Sequence, residues 1–132
     1  VSSPIIFDEF TQPIRLATSL PPAGTLVKVA GWGRLHVEMH TSPENQYATM
    51  MTKISPAECR EFYSDRALNG EVCVGSYDGT GSCRGDSGGP LIYHDLLIGI
   101  SSWGPKQCGY GQPDVFTSVP EYLDWIQRTV QY

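Results

Sequence analysis

Charge is sparse in this chain, and so are histidine and uninterrupted apolar sequence. Only 17% of its 132 residues are charged, the net charge is −5, and there are three histidines. The lack of a basic excess argues against nucleic acid as a partner. The acidic balance is too mild to specify a charged substrate. No segment reaches the ~18 apolar residues that a membrane-spanning helix needs, so no membrane partner is expected. The four cysteines, Cys59, Cys73, Cys83 and Cys108, lack Cys-x-x-Cys spacing, which disfavours a zinc site or a redox dithiol. No metal or cofactor is expected. Val1-Ser2-Ser3-Pro4 has neither a basic start nor a long apolar stretch, so no signal peptide is read there. Internal repeats, low-complexity tracts and an interdomain linker are missing as well.

What is present suits a folded domain. Hydrophobic residues make up 40%, and this length can bury a core within one domain spanning residues 1–132. An even cysteine count favours two disulfides, with three pairings open. Disulfides imply an oxidising compartment, hence a secreted, extracellular protein. A secreted chain without a signal is expected to have been processed or truncated.

Apolar segments are short and separated by Gly- and Pro-rich breaks. Leu26 to Ala30 alternates before Gly31-Trp32-Gly33, and further strand candidates are Tyr47 to Ile54, Val72 to Val74, Pro90 to Tyr93, Leu96 to Trp103 and Val115 to Val119. Short strands at such spacing predict an antiparallel β-barrel or sandwich. Two helix starts are visible. Ser55-Pro56-Ala57-Glu58 is a capping box with proline at the first helical position, predicting a helix to about Tyr63. Ser118-Val119-Pro120-Glu121 repeats the signal before a C-terminal helix with an apolar face of Tyr122, Leu123, Trp125, Ile126 and Val130. Residues 34 to 46 are polar and predict a surface loop.

The chemistry concentrates at Gly85-Asp86-Ser87-Gly88-Gly89-Pro90. Glycines around the serine permit backbone angles that other residues avoid and let a carbonyl approach the main chain. A serine hydroxyl there can act as a nucleophile beside N–H groups that cradle an oxyanion. The plain alternative is a Gly-rich turn.

Taken with Gly31-Trp32-Gly33, Gln12 to Leu16, Ser101-Ser102-Trp103-Gly104 and Tyr122 to Ile126, the motif resembles the chymotrypsin-like serine peptidases, in order and rough spacing. The resemblance covers the C-terminal half of that family's chain. It implies an all-β fold: one six-stranded antiparallel β-barrel with a short internal helix and a C-terminal helix, the N-terminal barrel being mostly absent. The activation site and the catalytic histidine and aspartate would lie before Val1. His36, His40 and His94 do not replace that histidine; each reads as a solvated surface residue.

By resemblance, Ser87 would attack the scissile carbonyl while the Gly85 and Ser87 N–H groups form the oxyanion hole. Asp86 matches the activation-linked carboxylate that pairs with a new N-terminal amine. Gly81, Ser82, Ser102, Trp103, Gly104 and Asp114 would line the specificity pocket. Glycine at position 81, where trypsin-like members carry aspartate, together with Asp114 on the wall resembles the arthropod collagenolytic serine peptidases. It implies broad specificity including basic and large apolar residues. The alternative for Asp114 is that it turns outward into solvent. Ser102 to Gly104 would pair with the substrate backbone. Arg84 would stand at the pocket entrance, favouring nearby acidic residues or simply solvated. Trp32 and Trp125 read as packing residues. The resemblance also implies the bridges Cys59–Cys73 and Cys83–Cys108, and no third bridge, because Tyr93 occupies that cysteine's position.

Two functions follow: the C-terminal part of a secreted serine endopeptidase, or a non-catalytic binding module or inactive subunit of the same fold. Expected partners are a peptide or protein substrate, the N-terminal half of the peptidase, and protein inhibitors.

Overall fold

Alternation in the apolar segments becomes alternation of burial. In the computed structural model, which describes residues 1–64, 66, 69–76 and 78–130, strand β2 (Leu26–Gly31) buries Val27 and Val29 and turns Leu26 and Lys28 outward. This is the two-residue period of a sheet with one wet face. The others are β1 (Arg15–Leu16), β3 (Tyr47–Lys53), β4 (Glu71–Gly75), β5 (Pro90–Tyr93), β6 (Leu96–Trp103) and β7 (Asp114–Ser118).

Strands β2 to β7 close on themselves. The sheet runs β6-β5-β2-β3-β4-β7, and β7 returns to β6 through antiparallel pairs such as Ile100 with Thr117. Closure leaves no long unpaired edge. β1 is an additional strand, parallel to β6 with Arg15 beside Leu96. The result is the six-stranded antiparallel barrel that the resemblance implies, plus one short strand.

The barrel interior holds Val27, Val29, Met51, Val72, Val74, Leu91, Ile98 and Phe116. A satellite cluster of Ile54, Cys59, Cys73 and Val115 lies beneath Tyr63 and Trp103. β6 passes through both regions because its register shifts between Ser101 and Trp103. Such a bulge bends the strand and carries Trp103 out toward the site described below.

Helix α1 (Pro56–Phe62) starts as predicted: the Ser55 hydroxyl accepts the Glu58 N–H at 3.1 Å, and Pro56 occupies the first turn. Disulfide Cys59–Cys73 ties α1 to β4, and Cys83–Cys108 ties the Ser87 turn to the segment after β6. These are the pairs that the resemblance implies.

The second helix start needs correction. Ser118 is the last residue of β7, paired with Gly99 and fully buried. Its hydroxyl has no hydrogen-bond partner among the described residues, and Val119 precedes the helical turn without any side-chain cap. The sheet keeps Ser118 extended. The chain then turns through a 3-10 helix (Pro120–Tyr122) into α2 (Leu123–Thr129). The apolar face of α2 is only partly buried: Leu123 and Ile126 are half-buried, whereas Trp125 is 61% exposed and Tyr122 and Val130 are exposed. Trp32, 52% exposed, is likewise not a packed residue within this chain. Among the described residues, neither tryptophan is buried. Residues 34 to 46 form an irregular loop between β2 and β3, as predicted.

Candidate active site

The Gly85 to Pro90 segment is a tight turn stitched to β6. The Asp86 N–H donates to the Cys83 carbonyl at 3.0 Å, and Gly89 N–H to the Asp86 carbonyl at 2.9 Å. Gly88 N–H donates to Ser101 O, and Ser101 N–H returns to Gly89 O at 2.8 Å. Gly85 and Gly88 have φ of 101° and 82°, a region in which a side chain is strained. The turn therefore needs its glycines. It leaves two donors over: the Gly85 and Ser87 N–H groups make no hydrogen bond to any described residue. Ser87 itself is exposed.

Asp86 points the other way, under the turn. One carboxylate oxygen accepts the Gly33 N–H at 2.8 Å and the other the Cys83 N–H at 2.9 Å. A Cβ at Gly31 or Gly33 would lie 2.1–2.2 Å from that carboxylate, so Gly31-Trp32-Gly33 is glycine-rich because Asp86 sits against it. The Arg34 N–H also donates to the Arg84 carbonyl at 2.9 Å. Asp86 and Gly81 border a cavity of about 410 Å³ between the turn, β2 and β3.

On the opposite side a separate cavity of about 250 Å³ brings together Ser82, Ser87, Ser102, Trp103, Gly104 and Asp114. Asp114 does not turn outward: it is 2% exposed, at the head of β7. One carboxylate oxygen accepts the Ser82 N–H at 2.6 Å. The other faces Gly104, where a Cβ would come within 2.6 Å of it. Burial pushes the Asp114 pKa above the ordinary carboxylate range, the Ser82 hydrogen bonds oppose this, and Asp86 adds to the rise. Gly81 is not on the wall of this cavity. It lies behind the carboxylate, where a Cβ would be 3.0 Å from Asp114 Oδ2. Gly85 does not border the cavity either.

Trp103 is held by partners that the sequence did not announce. Its indole N–H donates to Glu71 Oε1 at 2.8 Å, Tyr63 meets it edge-on at 4.7 Å, and the Arg66 guanidinium lies 4.4 Å from its ring centre. The Tyr63 hydroxyl donates to the Pro113 carbonyl at 2.7 Å. Burial raises the Tyr63 pKa, with Asp114 adding to the rise and Arg66 opposing it. These contacts, like Asp86 to Gly33, join positions more than thirty residues apart, so no local pattern could have marked them. His36 and His40 are exposed in the 34–46 loop, and His94 sits exposed in the β5–β6 hairpin at φ 50°. None of them borders the Ser87 cavity. Among the described residues, no group of three or more His, Cys, Asp or Glu could hold a metal ion, and no helix is long and apolar enough to cross a membrane.

The closed barrel with its glycine-rich serine turn, and a C-terminal helix beyond it, is the chymotrypsin-like fold. A family model described as Trypsin matches residues 1–126. The chain belongs to the trypsin family of serine proteases. It is 37% identical to trypsin II-P29 of Gallus gallus over 131 residues, covering 98% of this chain and 53% of that protein. It is 34% identical to kallikrein-8 of Rattus norvegicus over 120 residues, covering 90% and 46%. The solved structure of neuropsin, a serine protease expressed in the limbic system of mouse brain, superposes with a TM-score of 0.91 at 32% identity, covering 96% of this chain and 57% of that one. The chain spans about half the length of the curated relatives it matches.

Proposed function

We propose that residues 1–132 are the C-terminal barrel of a secreted serine endopeptidase, with Ser87 as the nucleophile that forms an acyl-enzyme on a peptide or protein substrate. The observation that carries this reading is the Ser87 turn. It exposes a hydroxyl that borders a cavity whose inner wall is a buried carboxylate, and beside it the Gly85 and Ser87 N–H groups have no hydrogen-bond partner among the described residues. Two such donors are what a developing oxyanion requires, and one is typically worth ~3 kcal/mol of barrier. The general base and the carboxylate that orients it come from outside residues 1–132, in the N-terminal half of the same peptidase.

The Ser87 cavity receives the side chain that precedes the scissile bond. A buried carboxylate without a cationic partner is costly, and a Lys or Arg side chain of the substrate supplies that partner. The absence of a side chain at Gly104 keeps the mouth open to large apolar residues as well, so specificity is broad. The 410 Å³ cavity beside Asp86 takes the N-terminal ammonium of the activated enzyme. Trp103 and its neighbours hold the substrate backbone by strand addition. Two disulfides suit an oxidising, extracellular setting.

A second reading is a non-catalytic module of the same fold. It draws on the lack of a histidine beside Ser87. A fluorophosphonate probe separates the two. The complete protein is expected to label at Ser87, and Ser87→Ala to abolish both labelling and hydrolysis down to the residual ~10³–10⁴ over water that binding and an oxyanion hole provide. Absence of labelling in the complete protein would leave the binding module.

A further inference from the structure

Glu71 borders neither the Ser87 cavity nor the hollow of about 730 Å³ that Trp103 shares with Tyr63, Arg66 and Tyr110. It acts on those spaces only through the indole. One carboxylate oxygen accepts the Trp103 indole N–H at 2.8 Å, across 32 positions of sequence. The other, Oε2, is buried with no hydrogen-bond partner among the described residues. Arg66 lies over the ring, 4.4 Å from its centre, and forms no ion pair with Glu71. A buried polar atom left unpaired raises the energy of the folded chain, and an apolar side chain of similar length, such as methionine, would avoid that cost. What the carboxylate supplies and methionine lacks is direction. Tyr63 meets the ring edge-on and Arg66 meets its face. Such contacts depend on the ring's plane and area more than on which edge carries the nitrogen. The χ2 torsion of tryptophan has two broad wells roughly half a turn apart, and the bond to the nitrogen distinguishes them. The backbone there also needs an anchor, because the β6–β7 ladder passes from Ser101 to Trp103 and skips Ser102.

We propose that Glu71 is a positioning residue that fixes the Trp103 indole and thereby sets how much of a long substrate contributes to binding. This role rests on the reading of Ser87 as nucleophile, with the substrate backbone laid along Ser102 to Gly104. The residue at the bond enters the Ser87 cavity, where Gly104 and Asp114 form the wall together with Trp103. Its contacts are spread over several groups. Earlier residues of the peptide pass the hollow beyond, where Trp103 is the shared wall, so their contacts depend on the ring. A ring already held in one orientation loses no freedom when the peptide arrives, and that preorganisation favours binding. Releasing the ring therefore weakens long substrates more than short ones, and acts on binding more than on the chemical step.

The test compares the complete protease with Glu71→Met and Glu71→Gln on two anilides, acetyl-Ala-Ala-Ala-Arg and acetyl-Arg. With methionine, kcat/KM is expected to fall about tenfold further on the tetrapeptide than on the single residue, chiefly through KM; tenfold is the scale of one hydrogen bond to a charged group. Glutamine keeps an acceptor in the same place and should recover most of the difference. A general loss of folded protein lowers both rates together, so the ratio separates positioning from stability. In a Trp103→Phe background, which lacks the indole N–H, Glu71→Met should change the ratio little. Hydrogen exchange of the Trp103 indole N–H, followed by NMR and assigned with Trp103→Phe, reads the bond without turnover and should be faster in Glu71→Met. An equal fall on both substrates, no recovery with glutamine, or unchanged exchange in Glu71→Met overturns the proposal. Fluorophosphonate labelling of the same preparations reports separately on Ser87. Where labelling fails, anisotropy of a fluorescent tetrapeptide replaces the rates, and equal affinity for the parent and Glu71→Met counts against the role of Glu71.

Discussion

Asp114 shows how one buried carboxyl shapes its surroundings. A Cβ at Gly104 would lie 2.6 Å from the carboxylate, so that glycine is needed, and one at Gly81 would crowd it at 3.0 Å. Burial also raises its pKa, and the sign of the stability effect follows. A folded-state pKa above the unfolded value, ordinarily about 3.9, means that the folded protein binds the proton more tightly. The stabilising contribution is complete below that unfolded value and is lost as pH rises through the raised pKa. Asp114→Asn should therefore gain in melting temperature relative to the parent as pH rises from about 3 to 8; a flat difference would contradict burial as the cause. In the complete protease the same change should lower hydrolysis after Arg and Lys far more than after Phe or Leu, read from a substrate-profile screen. Gly109 offers a second test. Its φ is 70°, and a Cβ would lie 1.8 Å from the Gly79 carbonyl oxygen. Gly109→Ala is expected to cost about 1–3 kcal/mol from the backbone conformation alone, measured by denaturant unfolding. It should also displace the Gly79 to Gly81 segment behind Asp114.

At the scale of elements, α1 was legible because its signals are local. Serine, proline and glutamate at fixed offsets meet the needs of unpaired N–H groups in a first turn. Ser55→Ala should cost about 1 kcal/mol and lower the melting temperature by roughly 3–6 °C. An unchanged melting curve would show that the cap bond at Ser55 contributes little. The same pattern misled at Ser118. There β7 continues through the serine, since pairing with β6 and the Ser118 N–H bond to Gly70 hold it in the barrel. A capping motif reports what a helix start would use, but strand pairing formed by distant residues outweighs it. Strand positions were readable because alternating or continuous apolar runs match one wall of a barrel. Closure of β7 on β6 was not, because nothing in either segment names its partner.

The whole molecule leaves much apolar surface uncovered. Ile5, Ile6, Phe7 and Phe10 are exposed in the N-terminal segment, as are Trp32 and Trp125. A contiguous exposed apolar patch marks an interaction surface. Residues 1–132 expressed alone are expected to bind a hydrophobic dye strongly and to self-associate, whereas the complete protein should do neither. Low dye binding by the monomeric fragment would count against a covering N-terminal half. The sequence reads Trp32 and Trp125 as packing residues, and both are more than half exposed. Whether a large apolar side chain is buried depends on which surface lies against it, and among the described residues none buries these two.

Local chemistry settled a good deal on its own. Composition excluded a membrane helix and disfavoured nucleic acid, and the turn around Ser87, the α1 cap and the strand segments each followed from short-range rules of backbone geometry and periodicity. The cysteine count called for two bridges without choosing their partners. Only the folded chain decided that Asp114 faces inward, that Gly81 supports it from behind rather than lining its cavity, that Asp86 is held by Gly33, and that Glu71 holds the Trp103 indole. Each of these is a meeting of residues far apart in sequence, and such meetings depend on how the barrel closes, which no local pattern encodes.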